Sequence, residues 1–256
     1  MVRAIITHDY CSERFLLMKS ISFQWTPGVQ PWEAETVVST VAHIQDVSAV
    51  LGQRAGFNIS RSQLRPFGTW VIPNVPQGSP YWSTLWYVEQ SLDVETGQIV
   101  APTFLKTVER EPWQQASPHY DVAIVEQDLR DDHEYNITPN KDPHVLSSYK
   151  SDLATALSVH RIRSIGDPED RRLALRRLAT NAFGHVLELP SPKRHDNIET
   201  SYGRISCQNL CSMRFASDNA QLLKLGQEEH DSRIIFCAAC TQDLLDHIVR
   251  THFSTN

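Results

Sequence analysis

The sequence predicts an α/β fold, because strand-like and helix-like hydrophobic patterns alternate along the chain. Residues 15–25 alternate apolar and polar side chains, which is typical of a strand, and residues 58–64 have a similar pattern. Residues 31–56 repeat apolar side chains at helical spacing and predict a long amphipathic helix. Residues 167–189 predict a second helix.

The segment between residues 66 and 118 has an unusual composition, with four tryptophans and seven prolines. The run Glu95-Thr96-Gly97-Gln98 is turn-forming and predicts a hairpin. We interpret the segment as an insertion into the α/β domain. Its tryptophans are expected to be core residues, with an exposed peptide-binding surface as the alternative.

The helix at residues 167–189 has a well-marked start. Asp167 is suited to the N-cap position, Pro168 to the first helical position, and Glu169 and Asp170 place negative charge in the first turn. Apolar residues then recur at helical spacing, at Leu175, Leu178, Ala182 and Leu189.

Four of the five cysteines form two close pairs near the end of the chain, Cys207 with Cys211 and Cys237 with Cys240. Two such pairs can place four thiolates around one ion, so the spacing predicts a structural zinc site. Two disulfides or unrelated buried thiols are the alternatives. No secretion signal accompanies the cysteines, which favours zinc.

Composition excludes some classes of function. At 256 residues and 41% apolar composition the chain can bury a substantial core. A formal net charge of -6 argues against nucleic-acid binding. No stretch reaches the roughly 18 consecutive apolar residues of a transmembrane helix. Residues 1–10 are too polar to begin a signal peptide, so we expect a cytoplasmic protein without membrane association.

The end of the second helix resembles the zinc-binding helix of metzincin peptidases, whose pattern is H-E-x-x-H-x-x-G-x-x-H followed by a Met-turn. Here residues 181–191 read Asn-Ala-Phe-Gly-His-Val-Leu-Glu-Leu-Pro-Ser. Cys211-Ser212-Met213 and the later C-x-x-C resemble the cysteine pattern of the archaemetzincins. This resemblance implies a metzincin-like mixed sheet, with a long N-terminal helix and an active-site-type helix, followed by a small zinc-stapled subdomain. It assigns the Met-turn to Met213, a buried strand to residues 120–129, and the strand before the helix to residues 156–163.

The chain departs from this pattern at the residues that carry the chemistry. Asn181 stands where the first histidine is expected, Ala182 replaces the general base, and only His185 remains as a ligand. Glu188 replaces the glycine, and Ser191 replaces the third histidine. Peptide hydrolysis needs an open metal position and a carboxylate beside the bound water. The standard reaction is therefore predicted to be lost.

A rebuilt metal site is the alternative. His195 lies four residues beyond the expected third ligand and can approach His185 if the intervening loop folds back. An amide or oxygen ligand from Asn181 or Glu188 would complete such a site, or Glu188 would serve as a substitute base. Otherwise His195 is a solvated loop residue and Glu188 belongs to a helix end.

These observations lead to two hypotheses. The first is a non-catalytic pseudopeptidase that holds a peptide or protein partner in the cleft and keeps one structural zinc. The second is an active metalloenzyme that uses His185 and His195. The predicted organisation is an upper subdomain at residues 1–190 and, at residues 191–256, a subdomain with the Met-turn and the cysteine site.

Overall fold

The computed structural model describes residues 15–17, 19–131, 144–201 and 203–253. The prediction about residues 1–10 lies outside these ranges. The strands are β1 Phe15–Leu17, β2 Ile21–Trp25, β3 Asn58–Ser60, β4 Leu64–Gly68, β5 Ile99–Val100, β6 Tyr120–Val125, β7 Leu129–Arg130, β8 Ser147–Lys150, β9 Ala154–Ser158, β10 Ile198–Ser201 and β11 Arg204–Cys207. The helices are α1 Pro31–Arg54, α2 Thr84–Ser91, α3 Ala101–Glu109, α4 Pro112–Ala116, α5 Pro168–Val186, α6 Asn219–Ser232 and α7 Ala238–Phe253.

A five-stranded mixed sheet with the order β4-β2-β6-β9-β8 lies at the centre of the fold. Strands β4, β2, β6 and β9 are parallel to their neighbours, and β8 runs antiparallel to β9 at one edge. The predicted α/β class is confirmed. Parallel strands need crossover connections, which here contain the long helix α1 and the segment with α2, α3 and α4.

The sheet is covered on both faces, as strand β6 illustrates. Val122 and Ile124 belong to a hydrophobic cluster that includes residues of α1 and α5. Ala123 and Val125 belong to a second cluster that includes residues of α2 and α3. All six residues of β6 are buried, because alternate side chains enter the two clusters.

Both long helices begin close to where the sequence predicts. Helix α1 begins at Pro31, and Glu33 accepts the backbone N–H of Gln30 in a capping box. Helix α5 begins at Pro168, and the Asp167 side chain accepts the backbone N–H groups of Glu169 and Asp170. It ends at Val186, three residues before the predicted end.

Four predicted strands differ from those in the structure. Residues 15–25 divide into β1 and β2, and residues 58–64 divide into β3 and the start of β4. The one at residues 120–129 divides into β6 and β7, and the one at residues 156–163 ends at Ser158. The Ser158 hydroxyl donates to the carbonyl of Gln127 and accepts the backbone N–H of His160. These bonds turn the chain into a short 3-10 helix, Ile162–Ser164.

The segment of residues 66–118 packs on the sheet face opposite α1 and α5. Trp82 is buried, and Trp70, Trp86 and Trp113 pack against the second cluster, so the core interpretation of the tryptophans is confirmed. The predicted turn is present, closed by the bond from the Asp93 N–H to the carbonyl of Gln98, but the hairpin around it is reduced to one antiparallel bridge between Leu92 and Ile99.

The C-terminal segment adds the β10–β11 hairpin and helices α6 and α7. Cys207, Met213 and Leu244 belong to the same cluster as α1 and α5, so the segment shares the main core. The boundary at residue 190 stays a prediction. Across the described ranges, every helix falls short of the length or apolar character that crossing a bilayer requires.

Candidate functional site

Four cysteine side chains meet in the C-terminal segment. Cys207 ends β11, Cys211 follows in a turn, Cys237 directly precedes α7, and Cys240 lies in its first turn. Their sulfur atoms all lie within 4.8 Å of one another, and 3.6 Å separates those of Cys207 and Cys237. All four are free thiols. In a disulfide the two sulfurs would be only about 2.05 Å apart. The predicted pairs thus form one cluster that can hold a metal ion.

Nitrogen donors lie beside two sulfur atoms of the cluster. Two guanidinium nitrogens of Arg194 lie 3.4 and 3.5 Å from the Cys240 sulfur, and the amide nitrogen of Asn209 lies 3.5 Å from the Cys237 sulfur. Cys240 is fully buried, whereas Cys237 is half-buried. N–H donors around a sulfur compensate negative charge that the interior would otherwise disfavour.

The neighbouring thiols shift one another's pKa values in opposite directions. Hydrogen bonds from Cys211 and Cys240 lower the pKa of Cys207 to about 2. Donating to Cys207 raises the pKa of Cys211 to about 12. These S–H donors therefore favour the thiolate form of Cys207, which is the form that binds a metal ion. A metal ion would take the place of those protons, so its binding releases protons.

Asn181 is bound to the turn that follows Cys211. Its amide nitrogen donates to the carbonyl of Ser212 at 2.8 Å and lies 3.4 Å from that of Arg214. Arg177, one helical turn earlier, donates to the same Arg214 carbonyl at 2.8 Å. Asn181 therefore joins helix α5 to this turn through its amide nitrogen, which is a donor and not a ligand atom.

Met213 lies against the part of α5 that resembles the peptidase helix. Gly184 permits this approach, because a Cβ atom there would lie 2.4 Å from the sulfur of Met213. Met213 is fully buried, as is Ala182, which offers no group to accept a proton. The turn thus supports the helix by packing, and the position of the expected general base is apolar.

His185 is buried beneath two other side chains. The Tyr149 ring stacks on the imidazole with a centroid separation of 4.2 Å and an interplanar angle of 5°. Tyr149 belongs to β8, and the guanidinium of Arg204 lies 5.6 Å from the centroid of its ring. Burial, with a smaller contribution from the charge of Arg204, lowers the pKa of His185 to about 3. The imidazole is neutral at pH 7, and the nearby positive charge opposes a cation beside it.

Glu188 and His195 lie in other surroundings. Glu188 has a φ of 58°, pairs with Arg250, and has a carboxylate oxygen 3.5 Å from Nδ1 of His247. His195 is exposed on the loop after α5, which also contains the half-buried Ser191. Among the described residues, no group of three metal-capable side chains includes His185, His195 or Glu188. A rebuilt site at His185 stays a prediction.

A second metal-capable group consists of Glu111, His119 and Asp121, which the sequence analysis missed. Their ligand atoms lie within 4.8 Å of one another, and all three residues are buried. Burial and the neighbouring Asp121 charge raise the pKa of Glu111 to about 9. The sequence signal for this group is the spacing of His119 and Asp121 at the start of β6. Alternate residues of a strand share a face, so these two side chains are expected to lie together.

Comparisons with known proteins do not identify the chain. No protein-family model matches it. A search of curated proteins also finds no match.

Proposed function

We propose that this protein is a non-catalytic relative of the archaemetzincin-like peptidases that binds an extended peptide or protein segment. The observation that carries the proposal is a stacking arrangement near the end of helix α5, in which Tyr149 packs on His185 and Arg204 lies over Tyr149. The family's metal would lie beside this imidazole. Here the Tyr149 ring covers the imidazole, and the positive charge of Arg204 acts on it and would repel a bound cation.

Loss of hydrolysis follows from the side chains next to His185. A metallopeptidase needs a metal-bound water and a carboxylate that takes its proton. Ala182 has no such group, and the Asn181 amide is bonded to the turn at residues 212–214. Glu188 is paired with Arg250 and lies beside His247, so its carboxylate is already engaged.

The outer edge of β8 is the proposed binding surface. Along a strand in an antiparallel pair, the backbone N–H and C=O groups of successive residues point alternately towards the partner strand and away from it. The Leu146 carbonyl accepts the N–H of Ser158 and therefore faces β9. The backbone groups of Ser147 and Tyr149 therefore face outward, where a peptide can add as a further strand. Arg204 donates to the Ser147 carbonyl at 2.7 Å and thus competes with an incoming strand.

The four cysteines would hold a structural zinc. A zinc with four ligands at about 2.3 Å in a tetrahedron places sulfurs about 3.8 Å apart, close to the 3.6 Å between Cys207 and Cys237. Four thiolates leave no open coordination position, so this zinc would act as a staple. Free thiols also suit the reducing cytoplasm, where we place the protein.

Peptide binding by an Arg204→Ala variant tests the proposal. The probe is a fluorescently labelled random decapeptide pool, followed by anisotropy. Removing the guanidinium frees the outward carbonyl of Ser147, so we expect several-fold tighter binding than in the wild type. Arg172→Ala, which removes an exposed arginine paired with Glu169, is the matched control and should behave as wild type.

Two results would reject the proposal. One is the absence of peptide binding by both wild type and Arg204→Ala. The other is cleavage of the pool by purified wild type in a manner that a chelator abolishes. Elemental analysis adds an independent check. His185→Ala should keep the same zinc content as the wild type. Loss of a metal in this variant would favour the active-enzyme hypothesis.

A further inference from the structure

A cavity of about 320 Å³ lies on the sheet face opposite α1 and α5. Strands β2, β4 and β6 contribute to its wall, together with the segment of residues 66–118. Trp70, Trp113 and Phe67 form its aromatic part, and Arg65 supplies a positive charge. The buried group of Glu111, His119 and Asp121 also lines this cavity.

The imidazole of His119 is oriented as in a metal ligand. Its Nδ1 lies 2.7 Å from the carbonyl of Ser117, which can only accept, so Nδ1 carries the proton. In the neutral ring Nε2 then offers a lone pair, and it lies 3.3 Å from a carboxylate oxygen of Asp121. A ligating histidine commonly donates its other ring N–H to a carbonyl in this way.

The spacing of these two atoms suits one shared ion. Two ligands at about 2.1 Å from a metal lie about 3.0 to 3.4 Å apart in octahedral or tetrahedral geometry. Asp121 is held in place by Gln114, whose amide nitrogen lies 3.3 Å from the same oxygen and donates to the carbonyl of His119 at 2.9 Å. The position of both ligands is therefore fixed by the fold.

Glu111 supplies the independent observation. Its side chain is 1% exposed, and neither carboxylate oxygen has a hydrogen-bond partner. Burial, and to a smaller extent the nearby Glu111 carboxylate, raises the pKa of the Tyr87 hydroxyl, which also makes no hydrogen bond of full geometry. A buried carboxylate without partners is costly unless a cation or a proton occupies the site.

We infer that Glu111, His119 and Asp121 form a binding site for a divalent transition-metal ion, with its open coordination positions facing the cavity. Protons can neutralise Glu111 and Asp121 one at a time, whereas a single ion would neutralise both carboxylates and engage the free Nε2 of His119. One imidazole and two carboxylates suit manganese, iron, cobalt or zinc better than soft metals. Arg65 and the cavity volume favour a small anionic oxygen donor as the additional ligand.

Titration of the zinc-loaded full chain with Mn²⁺ tests this site, with free Mn²⁺ measured by electron paramagnetic resonance. We expect one Mn²⁺ per chain, and at least about tenfold weaker binding in Glu111→Gln and Asp121→Asn. Glu89→Gln removes an exposed carboxylate from the same segment and should bind as wild type. Binding that is absent in the wild type, or unchanged in both site variants, overturns the inference.

Cobalt provides a readout that does not depend on the variants folding. Co²⁺ added to the zinc-loaded wild type should give weak visible bands without the intense sulfur-to-cobalt charge-transfer absorption of a cysteine site. Cobalt absorption that contains only the charge-transfer bands, or no new bands, contradicts the inference. The test is also independent of peptide binding at β8, because the two sites share no residue.

Discussion

At the scale of single residues, His185 shows how burial changes the role of a side chain that a sequence pattern predicts to be a metal ligand. In a metallopeptidase the same imidazole would face a metal ion. Here it is 6% exposed, stacked on Tyr149, and neutral because burial lowers its pKa to about 3. Protonation of this ring is therefore linked to unfolding.

This linkage predicts a pH dependence of stability. The unfolded histidine has a pKa of about 6.5, so the unfolded chain takes up the proton first. The stabilisation from neutral His185 is fully present above pH 6.5 and decreases as the pH falls towards 3. Between pH 7.5 and 5.0 the wild type should lose about 2 kcal/mol more unfolding free energy than His185→Gln, measured with urea. Equal losses would contradict the buried, neutral state.

At the scale of secondary structure, helix α5 and the turn at residues 212–214 form one unit. Arg177, Asn181 and Gly184 lie at successive turns of the helix, and each contacts this turn through a hydrogen bond or by close packing. Glu229 of α6 supports the turn from the other side, accepting from the Ser212 hydroxyl and pairing with the buried Arg177. The helix is therefore joined to this turn over three successive helical turns, and one of the contacts is made by Asn181, where the resemblance places the first metal ligand.

A double-mutant cycle measures this contact. Gly184→Ala adds a methyl group that meets the sulfur of the fully buried Met213, and overpacking of this kind costs about 1–3 kcal/mol. Met213→Ala removes the obstacle, so the double variant should be more stable than the sum of the two single losses by about 1 kcal/mol or more. Urea unfolding of all four proteins gives the coupling energy. Additive losses would show that the helix and the turn do not touch as described.

At the scale of the whole molecule, the four-cysteine cluster joins segments that are distant in the chain. Strand β11, the turn after it and the start of α7 meet at the sulfurs. Cys207, Cys211 and Cys240 belong to the same hydrophobic cluster as the sheet and helices α1 and α5. An ion at this place would stabilise the C-terminal segment and the main core together.

Removal of one thiol should therefore affect both metal content and global stability. We expect Cys237→Ser to lose the bound zinc and to melt at a markedly lower temperature, because binding free energy of a structural zinc is also folding free energy. Cys11→Ser, which changes the cysteine outside the two pairs, should keep both. Zinc per chain and thermal unfolding are the measurements, and a Cys237→Ser protein that retains its zinc would refute the four-ligand site.

The sequence alone determined the features that depend on neighbouring residues. The start of α5 at Asp167 and Pro168 follows from local capping chemistry, and the α/β class follows from hydrophobic periodicity. The cysteine cluster was predictable because each pair is close in the chain. The lack of a proton acceptor at position 182 was also evident, since an alanine side chain cannot take a proton wherever it lies.

Only the tertiary structure decided which partner each polar side chain has. Asn181 bonds a turn about thirty residues later, and His185 is covered by Tyr149 and Arg204 from two different strands. Glu111 reaches His119 and Asp121 because a short helix returns the chain to the start of β6. Hydrogen bonds, stacking and burial depend on distances in space, which sequence spacing fixes only within a single turn or strand.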